Sequence, residues 1–424
     1  MLRHGCEGFT VVNKIINNNT LLINMPKRIA SLFSGCGGLD LGFSGGFNFR
    51  GHEYNRHNTE IIFANDFDQD AQMCYNANPL LVSDGAECLL ADIRDINAKD
   101  IPNFDILLAG FPCQPFSNAG KRKGVNDENG RGTLFAECER IIKAKIENGH
   151  RPQAFVFENV RGILSSKMPD GVTSVPEEII KRMHALGYQT TIHLVCSSDY
   201  GVPQKRYRVL MVGIDEQLQI EKFNFDDMQR VVEKYNIPSE HFGEIEELLL
   251  GRILQDVENA PDNDVWEYSP GTQQTVNLIG SCTHGMKAMS QFHDGYKISD
   301  LTPDCFEGRS WKDIPYELLT PRFKNIADNP KKYHAPKFFR RFAFGEINGT
   351  ITASAQPDKC GVTHPVENRR YSVRECARIQ SFPDNYTFGA IPLQSRYKVI
   401  GNAVPPVLGW VLATALLNIL PDNN

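Results

Sequence analysis

The chain has 424 residues, 41% hydrophobic and 23% charged, with 34 Gly and 24 Pro, which excludes collagen-like, coiled-coil and wholly disordered chains. Its 45 Lys and Arg against 51 Asp and Glu give a net charge of −6, which taken whole argues mildly against a polyanionic partner. Eleven cysteines without a CxxC pair fit neither a disulfide framework nor a structural zinc site, and no metal is expected. Residues 1–26 are short on pattern and read as an N-terminal extension, with Met25 a candidate natural start. They lack the basic head and apolar core of a secretory signal. From Lys27 to about 214, short apolar runs alternate with amphipathic stretches. Arg28–Phe33, Glu60–Asn65, Glu87–Leu90, Phe104–Ala109, Gln153–Phe157, Thr190–Cys196 and Arg206–Ile214 read as strands. Phe67–Ala77, Gly132–Glu147 and Val175–Leu186 read as helices. This alternation predicts an α/β fold with a doubly wound, mostly parallel sheet covered on both faces. Between 215 and 370 the alternation is lost, and a second, smaller irregular domain is expected. From 371 to 424 the chain returns to the first domain, with helices at Ser372–Ile379 and Pro406–Leu420. No apolar run reaches the roughly 18–20 residues of a spanning helix. Val404–Leu420 is broken by Pro405, Pro406, Gly409 and Asn418, so no membrane contact and a cytoplasmic location are expected.

Charge is unevenly spread. Residues 215–267 hold 15 acidic and 4 basic side chains, whereas 321–345 hold 7 basic and 1 acidic. The basic stretch interleaves Phe323, Tyr333, Phe338, Phe339 and Phe342 with its charges. A local basic-aromatic surface matters more for binding a polyanion than the sum does.

The strand ends carry the chemistry. The first runs into Phe33-Ser34-Gly35-Cys36-Gly37-Gly38-Leu39, where glycines let backbone approach a ligand and open a helix. This is not GxGxxG, because Asp40 stands where the third glycine would be. Asp66 ends the second strand, followed by Phe67, and can take both hydroxyls of a ribose. Asp92-Ile93 follows the third strand and offers an acceptor for an exocyclic adenine amine. Ligands of such sheets sit outside the carboxyl ends of the strands. The fourth strand ends in Pro112-Cys113-Gln114-Pro115, a thiol in a loop stiffened by two prolines and so a candidate nucleophile. Glu158 comes straight after the fifth apolar strand, where partial desolvation favours its holding a proton. Arg206 and Arg208 alternate on one strand face and can clamp a phosphate or a base, or form a salt-bridged rim.

These residues carry a resemblance. FSGCGGLDLGF, AGFPCQPFS, FENV, QKRYR, RECARIQSFP and GNAVPP occur in the order of the DNA cytosine-5 methyltransferases of bacterial restriction systems, and the chain resembles that family along nearly all its length past Lys27. The resemblance implies an S-adenosylmethionine-dependent methyltransferase fold, with S-adenosylhomocysteine as product. It implies that Cys113 is the nucleophile and Glu158 its partner, with Arg206 and Arg208 in the active site. The loop Phe33, Ser34, Gly35, Cys36, Gly37, Gly38 and Leu39 becomes a cofactor contact. So do Asp66, Phe67, Asp92, Ile93, Pro112, Asn402 and Ala403. Residues 121–133 resemble a mobile loop that closes over DNA, which makes Ser117, Lys121, Arg122, Lys123 and Arg131 candidate DNA contacts. Residues 215–370 take the place of a target-recognition domain, with Arg340, Arg341, Thr350 and Thr352 as candidate contacts.

Carbon 5 of cytosine is too poor a nucleophile to take a methyl group unaided. Addition of the Cys113 thiolate to carbon 6 activates it, which is covalent catalysis. The base must leave the stacked duplex for this, at a cost of a few kcal/mol. The implied partner is double-stranded DNA, read by a monomer that pairs functionally with a restriction endonuclease without a stable complex. A transfer-RNA cytosine methyltransferase on the same scaffold is the alternative. That subfamily carries Cys-Phe-Thr in its recognition region, where this chain has Cys305-Phe306-Glu307. A nucleotide-binding oxidoreductase fits less well, given the missing third glycine and the Pro-Cys loop.

Overall fold

The structure, a computed structural model, describes residues 25–83, 85–112, 134–168, 170–280, 285–329 and 338–423. In chain order the elements that build the site are β1 (Lys27–Leu32), α1 (Gly38–Ser44), β2 (Thr59–Asp66), α2 (Gln69–Asn76), β3 (Cys88–Leu90) and β4 (Ile106–Ala109). They continue with α3 (Leu134–Glu147), β5 (Ala154–Val160), α4 (Val175–Ala185), β6 (Tyr188–Cys196), β7 (Tyr207–Asp215) and α5 (Asp226–Lys234). Near the C-terminus come α6 (Val373–Ile379), α7 (Leu393–Asn402) and α8 (Pro406–Leu417). The seven strands form one sheet in the order β3-β2-β1-β4-β5-β7-β6.

β1 pairs in parallel with β2 and β4, β2 with β3, and β4 with β5. β7 runs antiparallel to both β5 and β6. The ten residues between β6 and β7 are too few for the usual crossover of a dozen or more residues that a parallel pair needs. The mostly parallel sheet expected from the alternation is therefore present, with an antiparallel strand near one edge.

Both faces are covered, which is why the central strands read as continuous apolar runs. Phe155, Phe157, Val209 and Met211 pack with Cys138 and Ile142 of α3 and with Ile179 and Met183 of α4. Ala154, Val156, Leu210 and Val212 belong to a larger core with Leu41, Phe43, Leu408 and Leu412. α8 is apolar and buried on every side, as a helix without a polar face must be. It crosses α1 so closely that a Cβ at Gly42 would stand 2.6 Å from the backbone of Gly409. That crossing fixes α1, and with it the loop of residues 33–37 at the carboxyl edge of β1. The helical stretch Leu393–Leu417 is long and apolar enough on composition to cross a membrane, but 94% of its most apolar window lies buried inside the fold.

The region after β7 does not gather around one core. Phe223, Met228, Leu250, Phe344 and Ile351 join the core that holds α8. Tyr268, Val276, Trp311, Phe323 and Phe338 form a small aromatic core of their own.

Candidate active site

A cleft of about 330 Å³ opens at the carboxyl ends of β1, β2, β4 and β5. Its floor is the loop after β1. Phe33 and Gly35 both adopt positive φ, 55° and 58°, and hydrogen bonds tie the loop to the neighbouring strand. Ser34 N donates to Asn65 O at 3.0 Å, and Gly35 N donates to Asp66 Oδ2 at 2.8 Å. The other Asp66 oxygen accepts from Asp68 N at 2.8 Å. Burial pushes the Asp66 carboxyl above its ordinary value, and the backbone donors of Asp68 and Gly35 pull it back. Asp40, one turn into α1, accepts from Ser31 Oγ at 2.7 Å and from Tyr75 OH at 3.0 Å. Burial raises it to about 6 despite those two donors. Phe67 stands at the rim, 64% exposed.

The opposite wall is built from β5 and β7. In their antiparallel register Arg208 faces Val160 and Leu210 faces Glu158, so Glu158 and Arg208 share a face as diagonal neighbours. Arg208 Nε lies 2.7 Å from Glu158 Oε1, with the two side chains only 13% and 11% exposed. Burial lowers the Arg208 guanidinium and Glu158 opposes that shift. Glu158 Oε2 faces Gly110, where a built Cβ would stand 3.6 Å away. Asn159 Nδ2 donates to Phe111 O at 3.1 Å. That bond ties the end of β5 to the segment leading into Pro112. Phe111 itself packs against Phe135 and Phe157.

The model of the C-5 cytosine-specific DNA methylase family matches residues 27–418. The chain belongs to that family. It is 31% identical over 401 residues to the Type II methyltransferase M.FnuDI of Fusobacterium nucleatum, covering 93% of this chain and 96% of that one. It is 33% identical over 402 residues to M.HaeII of Haemophilus aegyptius, covering 93% of each. Among solved structures, the S. pombe Dnmt2 methyltransferase covers 92% of this chain and 99% of its own, with a TM-score of 0.57 at 15% identity. That likeness shows the fold. The chain is a DNA cytosine-5 methyltransferase by family, and transfer RNA is not the favoured substrate.

With the family in place, the expected residues divide. Phe33, Ser34, Gly35, Gly38, Leu39, Asp66, Phe67, Pro112, Asn402 and Ala403 line the cleft, as do Glu158 and Arg208. Cys36 does not. Its side chain is 1% exposed, and Sγ donates to Val399 O at 3.5 Å behind the loop. Gly37 is pressed onto Leu81 and Tyr75. Asp92 and Ile93 also lie outside the lining. Asp92 is held by Arg94, whose Nε donates at 2.9 Å, and those bonds keep the carboxyl below its ordinary value. Ile93 is core. Arg206 is fully buried and bonded to backbone carbonyls, so it presents no donor to a substrate. Arg341 is 2% exposed and donates to Gly280 O at 2.8 Å and to Asn368 Oδ1 at 2.6 Å. Both bonds tie it to the protein itself. Arg340 pairs with Glu346, over the ring of Phe342, and its side chain is 36% exposed. Thr350 Oγ1 donates to Lys205 O at 3.0 Å, and Thr352 Oγ1 lies 3.1 Å from Ser354 Oγ. Cys113, Ser117, Lys121, Arg122, Lys123 and Arg131 lie outside the described residues.

Several lining residues were not anticipated, among them Asp40, Asp68, Asn159 and Val399. Asp40 was visible as the break in the glycine pattern. Asp68 caps α2, accepting from Asp70 N, and Lys398 reaches it from α7. No local pattern announces such a contact between residues 330 apart in the chain. Among the described residues no group of His, Cys, Asp or Glu is placed to hold a metal ion.

The cleft fits a cationic nucleoside donor. Among the described residues nothing fills the space where a Cβ at Gly35 would stand, and the buried carboxylates of Asp40 and Asp66 and the exposed ring of Phe67 share the lining.

Proposed function

We propose that this enzyme methylates carbon 5 of a flipped-out cytosine in a specific double-stranded DNA sequence, with Cys113 as the nucleophile. The observation that carries this reading is the Arg208–Glu158 pair, set beside Gly110 at the root of the Pro112-Cys113 loop. When bound in the cleft, S-adenosylmethionine would supply the electrophilic methyl group that carbon 5 takes, with S-adenosylhomocysteine as the other product. Asp66, the loop of residues 33–35, Phe67, Asn402 and Ala403 would hold it. The Cys113 thiolate adds to carbon 6, which makes carbon 5 electron-rich. Glu158 hydrogen-bonds ring nitrogen 3 of the cytosine and holds the proton that stabilises the adduct. Arg208 fixes the Glu158 carboxyl and neutralises charge beside the base. Loss of the carbon 5 proton, with expulsion of the thiolate, restores the aromatic ring. A base inside the stack is out of reach of both side chains, so extrusion precedes chemistry.

The Type II methyltransferase relatives support a role in a restriction system, and we propose that the enzyme protects host DNA in the cytoplasm, paired functionally with a restriction endonuclease but not bound to it. We place target recognition in the region between β7 and α6, and the enzyme acts as a monomer. DNA carrying 5-fluorocytosine at the target should trap a denaturant-stable adduct, because fluorine cannot leave as a cation. Cys113→Ser should form none while still binding S-adenosylhomocysteine. An adduct in the Ser variant, or none in the wild type, would overturn the covalent assignment. Bisulfite sequencing of DNA from an expressing host would identify the sequence that is modified.

A further inference from the structure

Arg206 was expected to face the substrate. It sits instead between two elements that the chain keeps 50 residues apart. Its Nη1 donates to Ile351 O at 2.8 Å. Its Nη2 donates to Gly401 O at 3.0 Å and to Ala403 O at 3.1 Å. The side chain is completely buried, and its Nε has no hydrogen-bond partner among the described residues. Gly401 and Ala403 flank Asn402, which lines the cleft. Ile351 stands between Thr350 and Thr352. One guanidinium therefore fixes both the backbone that aims Asn402 and the backbone between two threonines of the segment assigned to DNA.

A second route runs beside the first. Gln204 Oε1 accepts from Ile351 N at 2.9 Å, and Gln204 Nε2 donates to Gln380 Oε1 at 2.8 Å. Gln380 Nε2 donates to Ile400 O at 2.6 Å. Asn348–Gly349 pairs in parallel with Gln204–Lys205, which lays the segment along the connection that carries Arg206. The packing leaves no slack, since a Cβ at Gly401 would overlap the backbone of Thr352 and Ala353. Two residues further on, Arg208 makes the pair with Glu158. The arrangement is costly to build, because a guanidinium must be desolvated and its Nε left unpaired. A purely apolar contact would hold two loops together without that cost. What the guanidinium adds is direction: three carbonyls must point at one planar group, and only one placement of the two segments allows it.

We infer that Arg206 is a positioning residue that sets the donor-side turn 401–403 and the DNA-side segment 350–352 together, so that affinity for the methyl donor and affinity for DNA depend on the same guanidinium. This rests on the methyltransferase reading above. It differs from a contact with the target base in what it moves. A base contact acts on turnover and leaves the donor site of the DNA-free enzyme untouched. A positioning role acts on donor binding before DNA arrives.

The test is calorimetry of S-adenosylhomocysteine binding to the full-length enzyme without DNA, followed by steady-state kinetics. Arg206→Met should weaken S-adenosylhomocysteine binding by tenfold or more and raise KM for DNA by a similar factor. Turnover at saturating donor and DNA should fall less than threefold, because Arg208 and Glu158 are intact. Arg206→Lys should recover part of both affinities, since an ammonium can still reach some of the three carbonyls. Gln204→Leu cuts the parallel route while leaving Arg206 in place. It serves where Arg206→Met does not fold, and it should shift both affinities in the same direction. Unchanged S-adenosylhomocysteine affinity in Arg206→Lys and Gln204→Leu, or a collapse of turnover alone, would overturn the inference. Failure of the wild type to bind S-adenosylhomocysteine would instead count against the methyltransferase reading itself.

Discussion

Arg208 Nε and Glu158 Oε1 meet at 2.7 Å across two antiparallel strands, and of the two arginines of the QKRYR motif it is Arg208 that lines the cleft. The residues are diagonal neighbours on one sheet face, so backbone register sets their approach. Desolvation at Glu158 was expected from its place after an apolar strand. Arg208 was expected in the active site but not in a direct pair, and that pair gives the carboxyl a fixed orientation.

Glu158→Gln keeps the shape but cannot hold a titratable proton. Methyl transfer should fall by about 10²–10⁴-fold, as is typical when a general acid is lost. Arg208→Lys keeps the charge and loses the directed Nε bond, and turnover should drop roughly tenfold or more. The two changes act on one unit. The double variant should therefore be little worse than Glu158→Gln alone, and single-turnover rates for the four proteins would expose additive losses if the pair were not coupled.

The sheet was legible because its strands are buried on both faces and read as apolar runs between amphipathic helices. The direction of β7 was not, since an apolar run has no polarity and only the short link from β6 excludes a parallel crossing. α7 escaped notice because Leu393–Asn402 mixes polar residues into a helix whose buried side faces α2 and α6. In the site, Gly35, Asp66, Pro112 and Glu158 line the cleft at the strand ends. Arg206 and Arg341 are instead buried against the protein's own carbonyls. A sequence records a cation but not whether its partners are phosphates or the protein's own carbonyls. The carbonyls that hold Arg206 lie 145 to 197 residues away.

Arg340 and Arg341 should separate cleanly. Arg340 is partly exposed and balanced by Glu346. Arg340→Ala should weaken DNA binding similarly on all sequences and reduce the salt slope by about 1, as the loss of one phosphate contact does. Arg341 is buried against carbonyls. Arg341→Ala should leave those carbonyls unsatisfied, at roughly 1–3 kcal/mol, and lower Tm without a selective change in the salt slope. Titrations at several salt concentrations together with thermal melts would show whether the two phenotypes exchange.

Acid should unfold the region around α6. His364 is 5% exposed, and burial pushes its pKa down from 6.5 to about 4, although Glu375 and Glu367 pull the other way. A depressed imidazole contributes stability that is present above its unfolded value near 6.5 and lost as pH falls through about 4. The full difference is on the order of 3 kcal/mol. Tm should therefore fall steadily between pH 6.5 and 4. His364→Gln should lower Tm at pH 7.5 yet flatten its decline below pH 6, and parallel curves for the two proteins would assign the acid sensitivity elsewhere.

Gly35 in the loop after β1 and Gly38 at the start of α1 serve different purposes, and alanine at each should reveal which. A Cβ at Gly35 meets no described residue within 4 Å, but Gly35 has φ +58°. A left-handed conformation costs an alanine roughly 1–2 kcal/mol. The added methyl then projects into the space the donor needs. Gly35→Ala should melt within a few degrees of wild type and lose S-adenosylhomocysteine affinity by tenfold or more. Gly38 has ordinary helical backbone, yet its Cβ would overlap the carbonyl of Val404 and stand 3.2 Å from the Phe382 ring. Both neighbours are buried and backbone cannot swing aside as a flexible side chain can. Gly38→Ala should therefore force α1 away from the 401–406 turn and cost about 1–3 kcal/mol of stability, with donor affinity falling as a consequence. Melts read alongside calorimetry distinguish the two. A stable Gly38→Ala with normal binding would mean that the loop has room to relax, and a Gly35→Ala that binds normally would mean that the donor does not lie over Gly35.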